Sequence, residues 1–291
     1  MLGKLLKNEF KTTYKTMLVI YIVTIVTTLG FCLFGVRQFY SYSWNTPANE
    51  TLRRILGVLG VTFTIAYVII VIALVILTYV LMCERFYKSM YSEQGYLTHT
   101  LPVSPLSNLN ARLITSVVWL FVSGIILCIS ILLIGISISP QEFWEDLRSF
   151  SYNVFDAACV YSTGYHFPVF ALILLLLILA ACANALLLVF AALSLGQLAN
   201  LHKLRAAIGF GVAFAFLEQF AATMVMVHIV YKVVDMFSSY DTTRSMIEHS
   251  GHLMRVSFQT TLWSMICIFV VFAALYYVIC AVIVKKHVNL E

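Results

Sequence analysis

Six uninterrupted apolar runs, at about 17–36, 55–82, 113–138, 168–195, 206–230 and 262–284, constrain this chain more than anything else in it. Each offers roughly 20 or more apolar residues, enough at about 1.5 Å per residue to cross a hydrocarbon core of about 30 Å. Inside lipid every backbone N–H and C=O must find a partner within the protein, which leaves only helices and closed barrels. The runs are continuous and do not alternate, so they predict helices. The expected fold class is therefore all-α: a polytopic membrane protein with six transmembrane helices. Composition excludes the soluble alternative. The chain is 62% hydrophobic and only 11% charged, against about 25% charged in an ordinary soluble domain.

The ends and loops fill in the plan. Residues 1–16 place Leu2, Leu5, Leu6 and Phe10 on one helical face and Lys4, Lys7, Lys11 and Lys15 on another. That pattern predicts an amphipathic interfacial helix ahead of a six-helix domain over 17–291. No short apolar stretch followed by a small-residue cleavage site is evident, so the first run is expected to remain in the mature protein. With the amino terminus inside, 11 of the 18 Lys and Arg residues fall on inner segments, four of them just before the first run. The positive-inside rule then sets both termini in the cytoplasm. The formal charge of +5 lies beside apolar runs, which points to anionic headgroups and away from nucleic acid. Seven cysteines sit mostly in or near apolar runs without C-x-x-C spacing, so neither a disulfide framework nor a zinc site is expected.

Outer loops are expected at 37–54, 139–167 and 231–261. Ser139-Pro140-Gln141-Glu142 combines a cap, a first-turn proline and a third-position acid, which predicts a short helix over about 140–156 with Phe143, Trp144, Leu147 and Phe150 at the interface. The polar loop 231–261 has room for another.

Catalytic signatures are absent from the sequence: there is no phosphate-binding G-x-x-x-x-G-K-[ST], no H-E-x-x-H and no G-x-S-x-G. No catalytic residue, resident metal or cofactor is expected on this chain. Glu248, His249 and His252 could bind a metal by type, but in a polar loop they read as solvated. Glu218 is the one ionisable residue deep in an apolar run, with Gln219 beside it. A carboxyl there must face protein or water, as a substrate-path or relay group or as a hydrogen-bonding anchor. The pairs Ala181/Ala185, Gly209/Ala213 and Gly211/Ala215, each four apart, predict close helix contacts.

The connection 83–112 carries the most specific cues. Ser92-Glu93-Gln94-Gly95 breaks the preceding helix. Pro102 and Pro105 force extended backbone before them, and Ser104-Pro105 starts a new helix that runs through Arg112 into the third span. A short, structured inner element is predicted. The stretch Glu93-Gln94-Gly95-Tyr96-Leu97, then Thr100-Leu101-Pro102-Val103-Ser104, then Ala111-Arg112-Leu113, resembles the first cytoplasmic loop of permease subunits of type-2 ATP-binding-cassette exporters. The motif covers about 84–113, and the basic start and six-span plan extend the likeness as architecture.

The resemblance implies a membrane-spanning permease in a bacterial plasma membrane that pairs with a second permease, identical or related, and with two separate ATPase subunits. ATP and Mg would sit on those partners. It assigns Glu93, Gly95, Leu101, Pro102 and Ser104 to a coupling loop that receives force from the ATPase, and it makes Gln197, His202, Lys203 and Arg205 a second inner contact. The long 139–167 loop departs from the family's compact outer connections and leaves the cargo open, with an amphipathic peptide or lipid expected. Two other readings stand beside this one: an ion- or proton-coupled transporter using Glu218, and a membrane sensor or anchor that transports nothing.

Overall fold

The computed structural model describes residues 2–36, 50–91, 104–138, 145, 152–199, 202–238 and 243–286. Its helices are α1 (Leu2–Gly30), continued by a π-helical end over Phe31–Val36, α2 (Glu50–Tyr91), α3 (Pro105–Ile138), α4 (Tyr152–Thr163), α5 (Phe167–Gly196), α6 (Lys203–Ser238) and α7 (Thr243–Lys286). There is no strand among the described residues. Six of these helices are long and apolar enough to cross a membrane. The chain is an all-α, polytopic membrane protein.

Two expectations about boundaries change. The basic amphipathic start is not a separate element: α1 runs unbroken from Leu2 to Gly30. No proline or glycine separates Phe10 from Met17, and continuing the helix satisfies backbone groups that a break would strand. In the third connection a helix is described at Tyr152–Thr163, while most of the helix predicted over about 140–156 falls outside the described residues. Glu145 is helical, while 139–144 and 146–151 lie outside the described residues. The region 231–261 is not a loop with a small helix in it. Instead α6 extends to Ser238 and α7 begins at Thr243. The segment holds no proline and a single glycine, Gly251, so little stops a helix that has already nucleated. α7 has 44 residues, a length of about 66 Å, twice what the hydrocarbon core requires.

The chain forms two compact units, Met1–Glu84 with Ile114–Ser149, and Arg85–Leu113 with Phe150–Glu291. It passes from the first to the second inside α2 and returns inside α3.

The first unit is joined by hydroxyl groups. Ser116, Ser123, Ser130 and Ser137 recur every seven residues along α3, and the first three are buried. The Ser123 hydroxyl shares hydrogen bonds with Tyr21 of α1 at 3.0 Å and Thr78 of α2 at 3.1 Å. One heptad on, Ser130 shares bonds with Thr28 at 3.0 Å and Tyr67 at 2.9 Å. Ser137 then donates to the Cys32 carbonyl at 3.1 Å, inside the π-helical turn. Nearer the amino terminus, the Trp119 indole N–H donates to Thr13 Oγ1 at 2.9 Å, and its ring lies 5.8 Å from that of Phe10. Lipid is as apolar as leucine, so helices in it adhere through close packing and shared polar groups.

In the second unit α5, α6 and α7 pack together, and α4 closes one end of them. Gly164 ends α4 with φ +75°, a left-handed conformation that suits glycine. A Cβ there would meet the Gln259 amide nitrogen at 2.6 Å. Gln259 itself donates to the Thr163 carbonyl at 2.6 Å, and the Trp263 N–H donates to the Tyr165 hydroxyl at 3.1 Å. Asp156 reaches across the turn: Oδ1 accepts the Phe167 N–H at 2.6 Å, and Oδ2 bonds His166 Nδ1 at 2.8 Å. Those two contacts, the backbone N–H first and the imidazole second, hold the Asp156 carboxyl below its ordinary value of 3.8.

Candidate functional site

The first candidate is the stem formed by the end of α2 and the start of α3, both in the second unit from Arg85 to Leu113. α3 begins at Pro105, as the Ser-Pro pair predicts. Ser104 caps it, with the Ser107 N–H reaching the Ser104 carbonyl at 2.9 Å and the two hydroxyls 2.7 Å apart. Residues Glu93, Gly95, Leu101 and Pro102 of the proposed coupling loop fall in 92–103, outside the described residues; Ser104 is described and exposed.

What holds the stem is unusually well defined. Phe86 stacks on Phe190 of α5, with centroids 3.9 Å apart and planes within 7°. Both rings are fully buried. The Tyr91 hydroxyl donates to Ser194 Oγ at 2.7 Å, and Ser194 in turn bonds its own helix through the Phe190 carbonyl at 2.7 Å. From the other side of the stem, Asn108 donates to Met90 Sδ at 3.7 Å and receives the Arg112 Nε–H at 3.1 Å. Tyr277 of α7 donates to Asn110 at 2.8 Å. Met90, Leu109 and Ala111 fill the space between with no exposed surface. The stem is thus fastened to α5 by a ring stack and a hydroxyl bond, and to α7 by an amide.

Gln197, His202, Lys203 and Arg205, the expected second contact, lie at the α5–α6 turn. Gln197 N–H bonds the Ser194 carbonyl at 3.3 Å, and the Ala206 N–H bonds the His202 carbonyl at 3.0 Å. His202 and Arg205 are exposed, Gln197 and Lys203 half-buried. Gly196 permits the tight return, since a Cβ there would meet the Lys203 carbonyl at 2.7 Å. Ser194 links the two places: it receives Tyr91 from the stem and lies three residues before Gln197. The described hydrogen bonds of Ser104 stay within the start of α3.

The other candidate lies within the apolar helices. Glu218 of α6 is half-buried, and its Oε1 accepts Nδ2 of Asn184, on α5, at 2.7 Å. Asn184 is only 3% exposed. Tyr276 of α7, 2% exposed, donates to the Phe214 carbonyl at 3.4 Å and also interacts with the Glu218 carboxyl. Gln219, its neighbour in sequence, points elsewhere and is exposed, so the two adjacent polar groups do not form one site. Of the small-residue pairs, a Cβ on Gly211 would meet the Ala192 Cβ at 3.5 Å, an ordinary contact, while Gly209 has open space around it. The side chains of Glu248 and His249 lie outside the described residues; His252 is exposed.

Sequence reasoning singled out Glu218 and Arg112 but passed over Phe86, Tyr91, Asn184, Ser194, Tyr276 and Tyr277. Asn184 left a usable signal, as the lone carboxamide in the fourth apolar run. Phe86 and Phe190 left none, because an aromatic in an apolar run does not announce its partner. Compared with protein-family models, with curated proteins and with solved structures, the chain matches none.

Proposed function

We propose that this chain is the membrane-spanning permease subunit of an ATP-driven exporter, set in a bacterial plasma membrane with both termini in the cytoplasm. Energy comes from two separate ATPase subunits that hold ATP and Mg, and a second permease completes the assembly. The chain itself hydrolyses nothing. Its cargo is an amphipathic molecule.

The observation that supports this reading is the fastening of the stem. A segment that only connects two spans needs no buried ring stack at its root. One that receives a push needs a stiff path into the helices that move. Phe86–Phe190, Tyr91–Ser194 and Asn110–Tyr277 supply that path into α5 and α7. A displacement delivered to 92–103 then biases the arrangement of the second unit, and ATP performs work to the extent that its binding favours one arrangement over the other.

The test is retrieval from native membranes. Tagged chain brings down a P-loop ATPase that has no spans of its own, and Gly95→Leu or Pro102→Ala abolishes transport while the protein remains folded in the membrane. Failure to retrieve an ATPase, together with intact transport in both variants, removes the reading.

A further inference from the structure

The hydrogen-bond balance around Glu218 does not close. Asn184 presents its NH2 to the carboxyl, which is the sensible orientation, because the reverse would set two acceptor oxygens face to face. That choice leaves Asn184 Oδ1 buried with no partner. The oxygen and nitrogen of one carboxamide are about 2.2 Å apart by bond geometry. Oδ1 therefore lies near the same carboxyl that its nitrogen touches at 2.7 Å. Tyr276 has one hydroxyl proton, and the Phe214 carbonyl at 3.4 Å and the Glu218 carboxyl share it, so none is left for Oδ1. Among the described residues no Lys, Arg or His forms an ion pair with Glu218. An acid in a membrane-spanning helix ordinarily has such a partner. This cluster thus has an acidic group, an orphaned acceptor and no cation.

The surrounding groups narrow what could supply the missing charge. The Tyr276 ring lies 5.1 Å from Phe214 and 5.9 Å from Phe272, so the phenol that interacts with the acid belongs to an aromatic cluster. Aromatic faces favour a soft organic cation. A small metal ion would need several more oxygen ligands. The unpartnered Oδ1 asks for an N–H donor as well as a charge.

We infer that Glu218, Asn184 and Tyr276 form a binding site for a primary alkylammonium group, the head of a cationic amphiphile. The ammonium donates to the Glu218 carboxylate and to Asn184 Oδ1, and its first methylenes lie along the Phe214, Tyr276 and Phe272 rings. Oδ1 is buried here, so the ligand enters when the helices around it part. The inference deepens the exporter reading by naming its cargo class, and its role in export rests on that reading. The binding step does not.

The test uses the full chain in nanodiscs of zwitterionic lipid, without any ATPase, titrated with dodecylammonium in a calorimeter. Expected is one saturable site per chain beyond lipid partitioning. Glu218→Gln weakens it at least tenfold, and Glu218→Asp, which keeps the charge, retains measurable binding. Dodecyltrimethylammonium, which lacks N–H donors, binds at least fivefold more weakly, and dodecanol not saturably. Thermal unfolding of each variant confirms that it is folded. Identical isotherms for the wild type and Glu218→Gln overturn the inference. So does displacement by millimolar sodium, which would assign the site to a metal cation. If binding holds while no ATPase is ever retrieved, the site stands and the exporter reading falls.

Discussion

The two units place polar groups in apolar surroundings by opposite rules. In the first, polarity is divided into many small shares. Ser123 and Ser130 each serve two neighbouring helices, and each bond joins neutral hydroxyls at 2.9–3.1 Å. In the second, beside the satisfied bonds of the stem, it is gathered at Glu218, where a carboxyl, a carboxamide and a phenol meet and one acceptor is left over. Distributed, satisfied hydroxyls hold helices together and offer nothing to a ligand. A concentrated, incomplete cluster adds little cohesion and keeps bonding capacity in reserve. The contrast separates structural glue from a site more cleanly than residue type does.

Four measurements test that contrast, beginning with the largest effect. Phe86→Ala removes a fully buried ring from the stem and should destabilise the second unit by about 3 kcal/mol. Hydrogen exchange should rise in α5 and α7 and stay unchanged along Thr24–Thr28 of α1. Equal loosening of both units would mean that they do not hold together independently. Ser130→Ala withdraws the hydroxyl shared with Thr28 and Tyr67 and should cost the first unit about 1 kcal/mol, the scale of intramembrane hydroxyl bonds. The measurement is reversible unfolding in bicelles, and no change would strip the serine seam of its cohesive role.

Glu218→Gln should shift stability by less than about 1 kcal/mol, since glutamine keeps an acceptor for Asn184 and adds a donor for its orphaned oxygen. A large loss there would make Glu218 the same kind of element as Ser130. The smallest effect is one of pH. Asp156 has a folded value below its ordinary 3.8, so the unfolded segment binds the proton more tightly. Its contribution to the α4–α5 joint is complete above the ordinary value and is lost as pH falls through the depressed one. Protease nicking near Gly164 should therefore increase only at acidic pH, and Asp156→Asn should abolish that dependence.

Much of this could be read from the chain. The six helices follow from apolar length, because lipid leaves the backbone no alternative. The start of α3 follows from Ser104-Pro105, because proline cannot donate and serine caps. Glu218 stands out because a carboxyl among apolar residues is costly. Other features resist for physical reasons. Hydroxyls are nearly neutral in hydropathy, so Ser123 and Ser130 vanish into an apolar run although their spacing is regular. Asn184 gains meaning only once α5 lies against α6, thirty-four residues on in sequence. Helix ends within 231–261 are not legible in the sequence, because polar composition suggests a loop, whereas polar residues outside the lipid are equally compatible with a helix that simply continues.

The seven-residue interval of the α3 serines has a geometric corollary. A straight α-helix drifts by about 20° per heptad relative to a seven-residue repeat, or about 60° over the three heptads from Ser116 to Ser137. For the serines to keep meeting α1 and α2 from one end to the other, the helices must wind about each other in a left-handed supercoil. Phase then becomes a property of the whole span. Inserting two residues near Gly124 would leave its apolar length and helicity intact, yet would turn Ser130 and Ser137 by about 200°, away from Thr28 and Cys32.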